Sequence, residues 1–173
     1  MKVERPGPTV EELVPLYYTA LYRYAYRLTG NSNDAEDLTQ ETFCSAHAKR
    51  TQLREPERVK SWLFSILHNA FLVRKRKHRQ ACFDTWEAWL HDIETKPEAS
   101  PLVESTQLQA ALLEVPDDFR AVLILYYFEE FSYRDMAEQL KVPIGTVMSR
   151  LARAKQFLKA KLVQRDKTLE QDE

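Results

Sequence analysis

The apolar positions between Ser132 and Leu158 predict two short helices separated by a tight break. Ser132 and Asp135, three residues apart, are typical of a helix start. The first helix should stop before Pro143, because the residue before a proline is disfavoured in helical geometry. In the second helix, apolar residues recur at spacings of four, three and four. This inward stripe consists of Val147, Leu151, Ala154 and Leu158. Such a pair is typical of a helix-turn-helix, although an ordinary helical hairpin would show the same pattern.

The inward stripe determines which side chains the second helix turns outward. On a wheel of about 3.6 residues per turn, the outer face is mostly small, polar and basic. Its members are Thr146, Met148, Ser149, Ala152, Arg153 and Gln156. Arg153 and Ser149 can each reach a base edge or a phosphate. Arg150 lies nearer the inward stripe, and the pattern leaves open whether it braces the helix or contacts a phosphate.

Three longer helices are predicted in the N-terminal half from apolar residues spaced three and four apart. Gly30 should end the first helix, and Ser32 or Asn33 should cap the second. The third should begin at about Pro56 or Val59, after a polar loop. The inward positions are Leu13, Leu16, Tyr17, Ala20, Leu21, Tyr24, Ala25 and Leu28 in the first helix, Ala35, Leu38, Thr42 and Ala46 in the second, and Trp62, Leu63, Ile66, Leu67, Ala70 and Phe71 in the third.

Two charged surfaces follow from this arrangement. The outer side of the second helix is either an ordinary solvated surface or a docking surface for a basic partner. It carries Asp34, Asp37, Gln40 and Glu41. The third helix ends in a basic cluster, Arg74, Lys75, Arg76, Lys77 and Arg79. These cations repel one another unless a polyanion is near, so the cluster, together with Asn69, favours binding of a single-stranded nucleic acid. The rings of Trp62 and Phe64 are expected in the core rather than stacked on bases.

The composition narrows the class of protein. A chain of 173 residues, with 44% apolar residues and three glycines, can form one or two domains, and its helical spacing predicts an all-α fold. Because the net charge is −1, any attraction to nucleic acid must come from local patches. The sequence lacks an apolar run of about 20 residues and a signal-peptide core, so we expect a cytoplasmic protein without membrane insertion.

No motif for catalysis or metal binding is present in the sequence. The four histidines are scattered without metal-ligand spacing, and the two cysteines, at 44 and 82, lie far apart. Neither a glycine-rich phosphate loop nor a nucleophile motif occurs. We therefore expect no enzyme activity, no metal and no cofactor.

The chain divides into three parts by composition. Residues 10–81 form the N-terminal helical domain, and residues 82–106 form an acidic linker with six acidic residues and one lysine. Residues 107–163 form the second domain, in which Pro116 separates two helices that precede the helix-turn-helix. The polar tail after Gln164 is expected to fray.

Three stretches, taken in order, carry a resemblance to a known family. LYRYAYRLTGNSNDAEDLTQETF, VKSWLFSILHNAFLVRKRKHR and SYRDMAEQLKVPIGTVMSRLARAK resemble the extracytoplasmic-function (ECF) sigma factors of bacteria. These small sigma factors contain only conserved regions 2 and 4. The resemblance covers roughly residues 10–160. DAEDLTQETF and GTVMSRLARAK are specific as a linked pair, whereas the helix-turn-helix alone also resembles response-regulator domains.

The resemblance implies a dissociable subunit that gives core RNA polymerase its promoter specificity. Region 2 would dock on the largest polymerase subunit through Asp34, Glu36, Asp37, Gln40 and Glu41. Together with the loop at 51–58, it would bind the −10 element through Lys60, Asn69, Arg74, Lys75 and Arg76, where a base is extruded from the opened duplex. Region 4 would contact the second-largest subunit and bind the −35 element through Thr146, Met148, Ser149, Arg150 and Arg153. The resemblance also implies an anti-sigma factor as a partner.

Four positions depart from the family pattern. Met148 lies where many members carry arginine, and Ala152 is also small. Lys141 lies where glycine is common, and a positive φ there would cost lysine on the order of 1 kcal/mol. Val73 replaces a common aspartate. The alternative hypothesis is a helix-turn-helix regulator that does not bind polymerase.

Overall fold

Seven α-helices make up most of the computed structural model, which describes residues 8–53, 55–84 and 106–169. They are α1 (Val10–Thr29), α2 (Ser32–Ala48), α3 (Val59–Asp84), α4 (Thr106–Leu113), α5 (Asp117–Tyr127), α6 (Tyr133–Leu140) and α7 (Ile144–Leu169). Two 3-10 turns, Arg50–Gln52 and Pro56–Arg58, join α2 to α3. Within these ranges there is no strand, so the predicted all-α fold is confirmed. None of these helices is both long and apolar enough to cross a membrane.

The junction of α1 and α2 is set by two consecutive residues. Gly30 adopts a left-handed φ of 74°, and its N–H donates to the carbonyl of Tyr26 at 2.7 Å, so α1 ends where predicted. The side-chain oxygen of Asn31 accepts from the backbone N–H three residues later at 3.0 Å. The predicted cap, Ser32 or Asn33, is therefore wrong. Because Gly30 already turns the chain, the next residue occupies the cap position.

α1 lies at the centre of the fold and contacts α2, α3, α4 and α5. Most of its predicted inward positions are buried or half-buried, but Leu16 is 72% exposed, so that prediction is wrong. Tyr22 and Tyr26 lie outside the predicted stripe and yet are buried. Because α1 packs against neighbours on more than one side, its buried surface is wider than the predicted stripe and is centred on a different side of the helix.

The inward positions predicted for α2 and α3 are confirmed. The α2 positions Ala35, Leu38, Thr42 and Ala46 are buried, and all those of α3 are buried or half-buried. Phe64 is fully buried, as expected for a core ring, whereas Trp62 is half-buried. The Thr42 hydroxyl donates to the carbonyl of Leu38 at 2.7 Å, which satisfies its polar group inside the core.

The turn between α6 and α7 completes the predicted helix-turn-helix. Ser132 Oγ accepts a hydrogen bond from the N–H of Asp135 at 3.1 Å, which confirms the predicted start of α6. The inward stripe of α7 is buried, apart from the half-buried Leu158. α7 continues to Leu169, so the expected fraying after Gln164 is wrong for the backbone of residues 165–169. Arg165 and Lys167 have good helix propensity and favour this continuation.

Lys141→Gly should stabilise the fold by about 1 kcal/mol. Lys141 ends α6 with a φ of 54°, a left-handed conformation in which a Cβ is strained. Urea unfolding of the variant and the parent protein measures the difference. Lys141→Ala removes the same side chain but keeps the Cβ, and it should show no such gain. Equal gains in the two variants would exclude backbone strain as the cause.

One hydrophobic core spans both halves of the chain. The ring centroids of Phe64 in α3 and Phe131, which precedes α6, are 5.3 Å apart. Leu113 at the end of α4 packs directly on Gly30, where a Cβ would displace the Leu113 side chain. Most of the predicted acidic linker, residues 85–105, lies outside the described ranges.

Candidate nucleic-acid and protein interfaces

The acidic side of α2 faces solvent. All five predicted docking residues are exposed, namely Asp34, Glu36, Asp37, Gln40 and Glu41. They occupy the outer half of the helix because the apolar stripe of α2 turns into the core. Four carboxylates on one side of a helix attract cations, so this surface fits a basic partner.

Arg74 lies against this acidic side. Its guanidinium is 3.1 Å from the carboxylate of Glu41 and 3.8 Å from that of Asp37. The structure thus brings a predicted −10 residue to the predicted docking surface. All three side chains are more than a third exposed, and such surface ion pairs contribute only about 0–1 kcal/mol. Arg74 can therefore exchange these carboxylates for another partner at low cost.

The other described residues of the basic cluster face either α5 or solvent. Lys75 is 3.5 Å from the carboxylate of Asp117 in α5. Arg76 and Lys77 are exposed, and the Arg76 Nε lies 3.4 Å from the Leu72 carbonyl. The side chain of Arg79 is outside the described set. Arg76 and Lys77 are thus accessible to a phosphate backbone.

Lys60, the first predicted −10 residue, is half-buried between α3 and the loop before α6. Its Nζ donates to the carbonyl of Glu129 at 2.7 Å. It also lies 5.0 Å from the ring centroid of Phe131 and 5.7 Å from that of Phe64, within cation–π range. In this arrangement the Lys60 ammonium contacts a carbonyl and two aromatic rings of the protein itself.

Asn69 is exposed and lines a cavity of about 470 Å³. One wall is formed by the loop at 49–58 and by α3, including Trp62; the other wall is formed by α6. Gln139 of α6 is 5% exposed, and both of its side-chain amide atoms lack a hydrogen-bond partner. The cavity is therefore polar and incompletely packed.

The outer face of α7 is exposed as predicted. Met148, Ser149, Ala152, Arg153 and Gln156 face solvent, and Thr146 is half-buried. The Ser149 hydroxyl donates to the carbonyl of Thr146 at 3.0 Å. Arg150 is 2.9 Å from the carboxylate of Asp118, so here it braces α7 against α5.

A buried polar pair connects α1 and α3. Tyr24 Oη and His68 Nδ1 are 3.1 Å apart, and both side chains are buried. Burial lowers the pKa of His68 to about 4, so its ring stays neutral near pH 7. This pair belongs to the core. Over the described part of the chain, no cluster of side chains could hold a metal ion.

Comparison with known proteins identifies both halves of the chain. Residues 13–81 match the family model of sigma-70 region 2, and residues 105–158 match that of sigma-70, region 4. The ECF RNA polymerase sigma factor SigM of Bacillus subtilis is 32% identical over 154 residues, which cover 88% of this chain and 94% of SigM. This chain belongs to the ECF family of RNA polymerase sigma factors. Sigma factors are regulatory subunits that bind RNA polymerase and direct transcription initiation.

Two further proteins are similar to this sigma factor. The ECF RNA polymerase sigma factor SigE of Mycolicibacterium smegmatis is 38% identical over 160 residues, and the match covers 88% of this chain and 61% of SigE. The sigma factor RpoE of Bartonella quintana was solved in complex with the anti-sigma factor NepR. It superposes with a TM-score of 0.79 at 31% identity, covering 88% of this chain and 95% of RpoE. That superposition includes both regions.

The sigma factor contains three further interface residues that its sequence did not indicate. Arg58 pairs with Glu138, which follows it by 80 positions. Glu129 is 7% exposed, and burial raises its pKa to about 7 although Lys60 lowers it. Arg58 and Glu129 lie in or beside loops, where no helical period marks them, and Glu138 is one of several exposed residues of α6. Of the three residues, only Glu129 has a local signal in the sequence. In FEEF at 128–131, two acidic residues lie between two phenylalanines.

Region 4 of the sigma factor also covers the end of α1. The Gln109 side-chain amide donates to the carbonyl of Tyr26 at 3.2 Å. The buried Arg120 guanidinium donates to the carbonyl of Leu28 in α1 and, at 2.9 Å, to that of Leu113. Arg120 thereby satisfies carbonyl groups at the ends of α1 and α4, and Gln109 adds a second donor to the Tyr26 carbonyl, which also accepts from the Gly30 N–H. The two regions therefore meet through specific polar contacts as well as through the shared core.

Proposed function

We propose that this sigma factor holds RNA polymerase and promoter DNA with three surfaces. The acidic side of α2 docks on the polymerase, the loop and basic end of region 2 bind the −10 element, and α7 binds the −35 element. The observation that carries the proposal is the exposure of both the acidic side of α2 and the outer face of α7. The docking and −10 surfaces lie in region 2, and the −35 surface lies in region 4. These are the regions to which the family assigns those roles.

The charge of α2 supports the proposed docking surface. Asp34, Glu36, Asp37, Gln40 and Glu41 are exposed, and a basic helical surface on the largest polymerase subunit supplies the complementary charge. Arg74 contacts two of these carboxylates only through exposed pairs, so docking can displace it. Docking then leaves Arg74 available to a DNA phosphate.

The −10 surface combines cations with a polar cavity. Arg76 is exposed and suits phosphate contacts, together with Arg74 and Lys75 once they leave their carboxylates. Asn69 lines the cavity beside Trp62, where a base extruded from the duplex finds an amide and an aromatic ring. Lys60 joins this surface when it is released from Glu129.

The −35 surface is the outer face of α7. Its exposed N-terminal turns fit the major groove, with Ser149 and Arg153 as the base or phosphate contacts and Thr146 near a phosphate at the helix start. Met148 is 53% exposed and offers an apolar contact, such as a thymine methyl, in place of an arginine. Arg150 holds α7 on α5 through Asp118 and positions this face.

Arg153→Ala should weaken binding of holoenzyme to its −35 element by about 1–3 kcal/mol. The arginine is exposed on the outer face, so its loss removes a DNA contact without opening the core. Electrophoretic mobility shift with matched and scrambled upstream elements measures the loss. Gln156→Ala, on the same face and one turn further along, is the matched control. A variant that discriminates the two elements as well as the parent would refute the role of Arg153.

The partners follow from the same surfaces. Core RNA polymerase, through its largest and second-largest subunits, and promoter DNA are the productive partners. RpoE of Bartonella quintana was solved with an anti-sigma factor, and we propose that an anti-sigma factor also binds this chain. The polymerase supplies the chemistry, so the chain itself requires no catalytic residue or cofactor, and its place of work is the cytoplasm with the polymerase.

Run-off transcription with purified core polymerase tests the proposed function. Promoter candidates come from sequencing the transcripts that overproduction induces. We expect specific run-off products only when chain, core enzyme and a shared upstream motif are all present. Binding to DNA without any effect of core enzyme would instead identify a regulator that acts independently of polymerase.

A further inference from the structure

Exposed apolar side chains form a row along α7, beside the polar residues of its outer face. Ile144 is 47% exposed, Met148 is 53% exposed, and Ala152 is exposed one turn further along. Their spacing of four places all three on the same side of the helix. None of the three belongs to the hydrophobic core. Apolar groups left in water in this way indicate contact with a partner rather than a role in the fold.

The start of α7 has room for a partner as large as a DNA duplex. Ile144 is the first residue of the helix. Beside it, a Cβ built on Gly145 would meet no atom within 4 Å, apart from its own neighbours in the helix. In a helix-turn-helix, the N-terminal residues of the second helix contact base edges in the major groove. Ile144 and Met148 therefore lie where base edges would be.

The major groove offers these two side chains one apolar group, the C5-methyl of thymine. Adenine, guanine and cytosine present hydrogen-bond donors and acceptors there instead. The isoleucine side chain has no hydrogen-bonding group, and that of methionine has only a weak acceptor. Contact between an apolar side chain and a methyl group is favourable because it removes both from water.

We propose that Ile144 and Met148 read methyl groups, and that the −35 element of this sigma factor carries thymines, or other C5-methylated pyrimidines, against them. The inference rests on the proposed function, which places α7 in the major groove of that element. The two residues are about 6 Å apart along the helix, whereas successive bases are about 3.4 Å apart. Each side chain therefore contacts a different base pair. Ser149 and Arg153 supply the polar contacts beside them.

Replacement of thymine by uracil tests this inference, because it removes only the C5-methyl group. Duplexes that the holoenzyme selects from a random pool are prepared twice, with deoxythymidine or with deoxyuridine in the −35 element. Fluorescence anisotropy measures the affinity of the holoenzyme for each duplex. The parent should bind the uracil duplex about threefold to fourfold less tightly for each contacted methyl group that is lost.

Two variants assign this loss to the proposed pair. Ile144→Ala combined with Met148→Ala should bind the thymine and uracil duplexes equally, because its side chains no longer reach the methyl groups. Both positions are exposed, so the change leaves the core intact. Gln156→Ala, also on the outer face, is the matched control and should keep the preference of the parent. A double variant that still prefers thymine as strongly as the parent would overturn the inference.

A methyl group on a different base provides an independent measurement. Cytosine in place of a contacted thymine should weaken binding by the holoenzyme. 5-Methylcytosine at the same position should bind about threefold to fourfold more tightly than cytosine, because the two bases differ only in that methyl group. Equal binding of cytosine and 5-methylcytosine at every thymine position would contradict the proposed contact.

The inference and the proposed function fail in different ways. Equal affinity of the parent for thymine and uracil duplexes would overturn the inference, whereas run-off transcription that depends on the −35 element would still support the function. Without run-off products, selection and anisotropy with the isolated chain would still measure the methyl preference. A preference found there, and lost in the double variant, would keep the inference and reject the function. If neither the holoenzyme nor the isolated chain selects a duplex, both are wrong.

Discussion

Asp37→Lys combined with Glu41→Lys is expected to abolish association of the sigma factor with core RNA polymerase. Both side chains are exposed on the acidic side of α2, so the change should leave the core intact. It replaces two negative charges by two positive ones at a surface proposed to meet a basic partner. Like charges facing each other across an interface cost several kcal/mol, which corresponds to at least a hundredfold loss of affinity. A pull-down with purified core enzyme measures the loss.

Two controls separate docking from other effects of this double variant. Glu11→Lys with Glu130→Lys changes the net charge by the same amount at exposed positions outside α2 and should retain association. Arg74→Ala removes the cation that contacts both carboxylates and should also retain it, since that cation is proposed to act on DNA. An undiminished pull-down of the double variant would place the docking surface elsewhere.

The features that the sequence predicted correctly are set by neighbouring residues. Gly30 ends α1 because glycine adopts a positive φ without strain, and Ser132 starts α6 because its hydroxyl reaches an N–H three residues later. The exposure of the acidic side of α2 and of the outer face of α7 likewise follows from helical period. These surfaces could be assigned from spacing alone.

The missed features depend on residues that are far apart in the chain. Arg58 and Glu138 are 80 positions apart, and Lys60 and Glu129 are 69 apart. Their contacts arise only when region 4 packs on region 2, and no periodic pattern records that packing. The same cause explains Tyr22, whose burial follows from the contacts that α1 makes on more than one side. Local rules predicted both modules but not their contact.

Glu129 places a carboxyl at this contact with little access to water. It is 7% exposed, and burial raises its pKa from 4.5 to about 7. The cations that face it, Lys60 from α3 and Arg27 and Arg23 from α1, lower the pKa by less, and the buried Tyr24 phenol faces it from α1. Because the folded pKa lies above the unfolded one, ionisation costs stability. The cost is absent below pH 4.5, grows through pH 7 and then stays near 3 kcal/mol.

Glu129→Gln should therefore raise the free energy of unfolding by about 3 kcal/mol at pH 8 and by less than about 1 kcal/mol at pH 5. Urea unfolding across this pH range measures both values, and the exposed neighbour variant Glu130→Gln should show no such trend. A gain of equal size at both pH values would mean that another group titrates. Ionised Glu129 also disfavours contact between the regions, because separation returns the carboxylate to water. The distance between spin labels on Cys44 of α2 and on Gln156→Cys of α7, in a Cys82→Ser background, should thus lengthen from pH 5 to pH 8. With Glu129→Gln added, the same distance should stay constant.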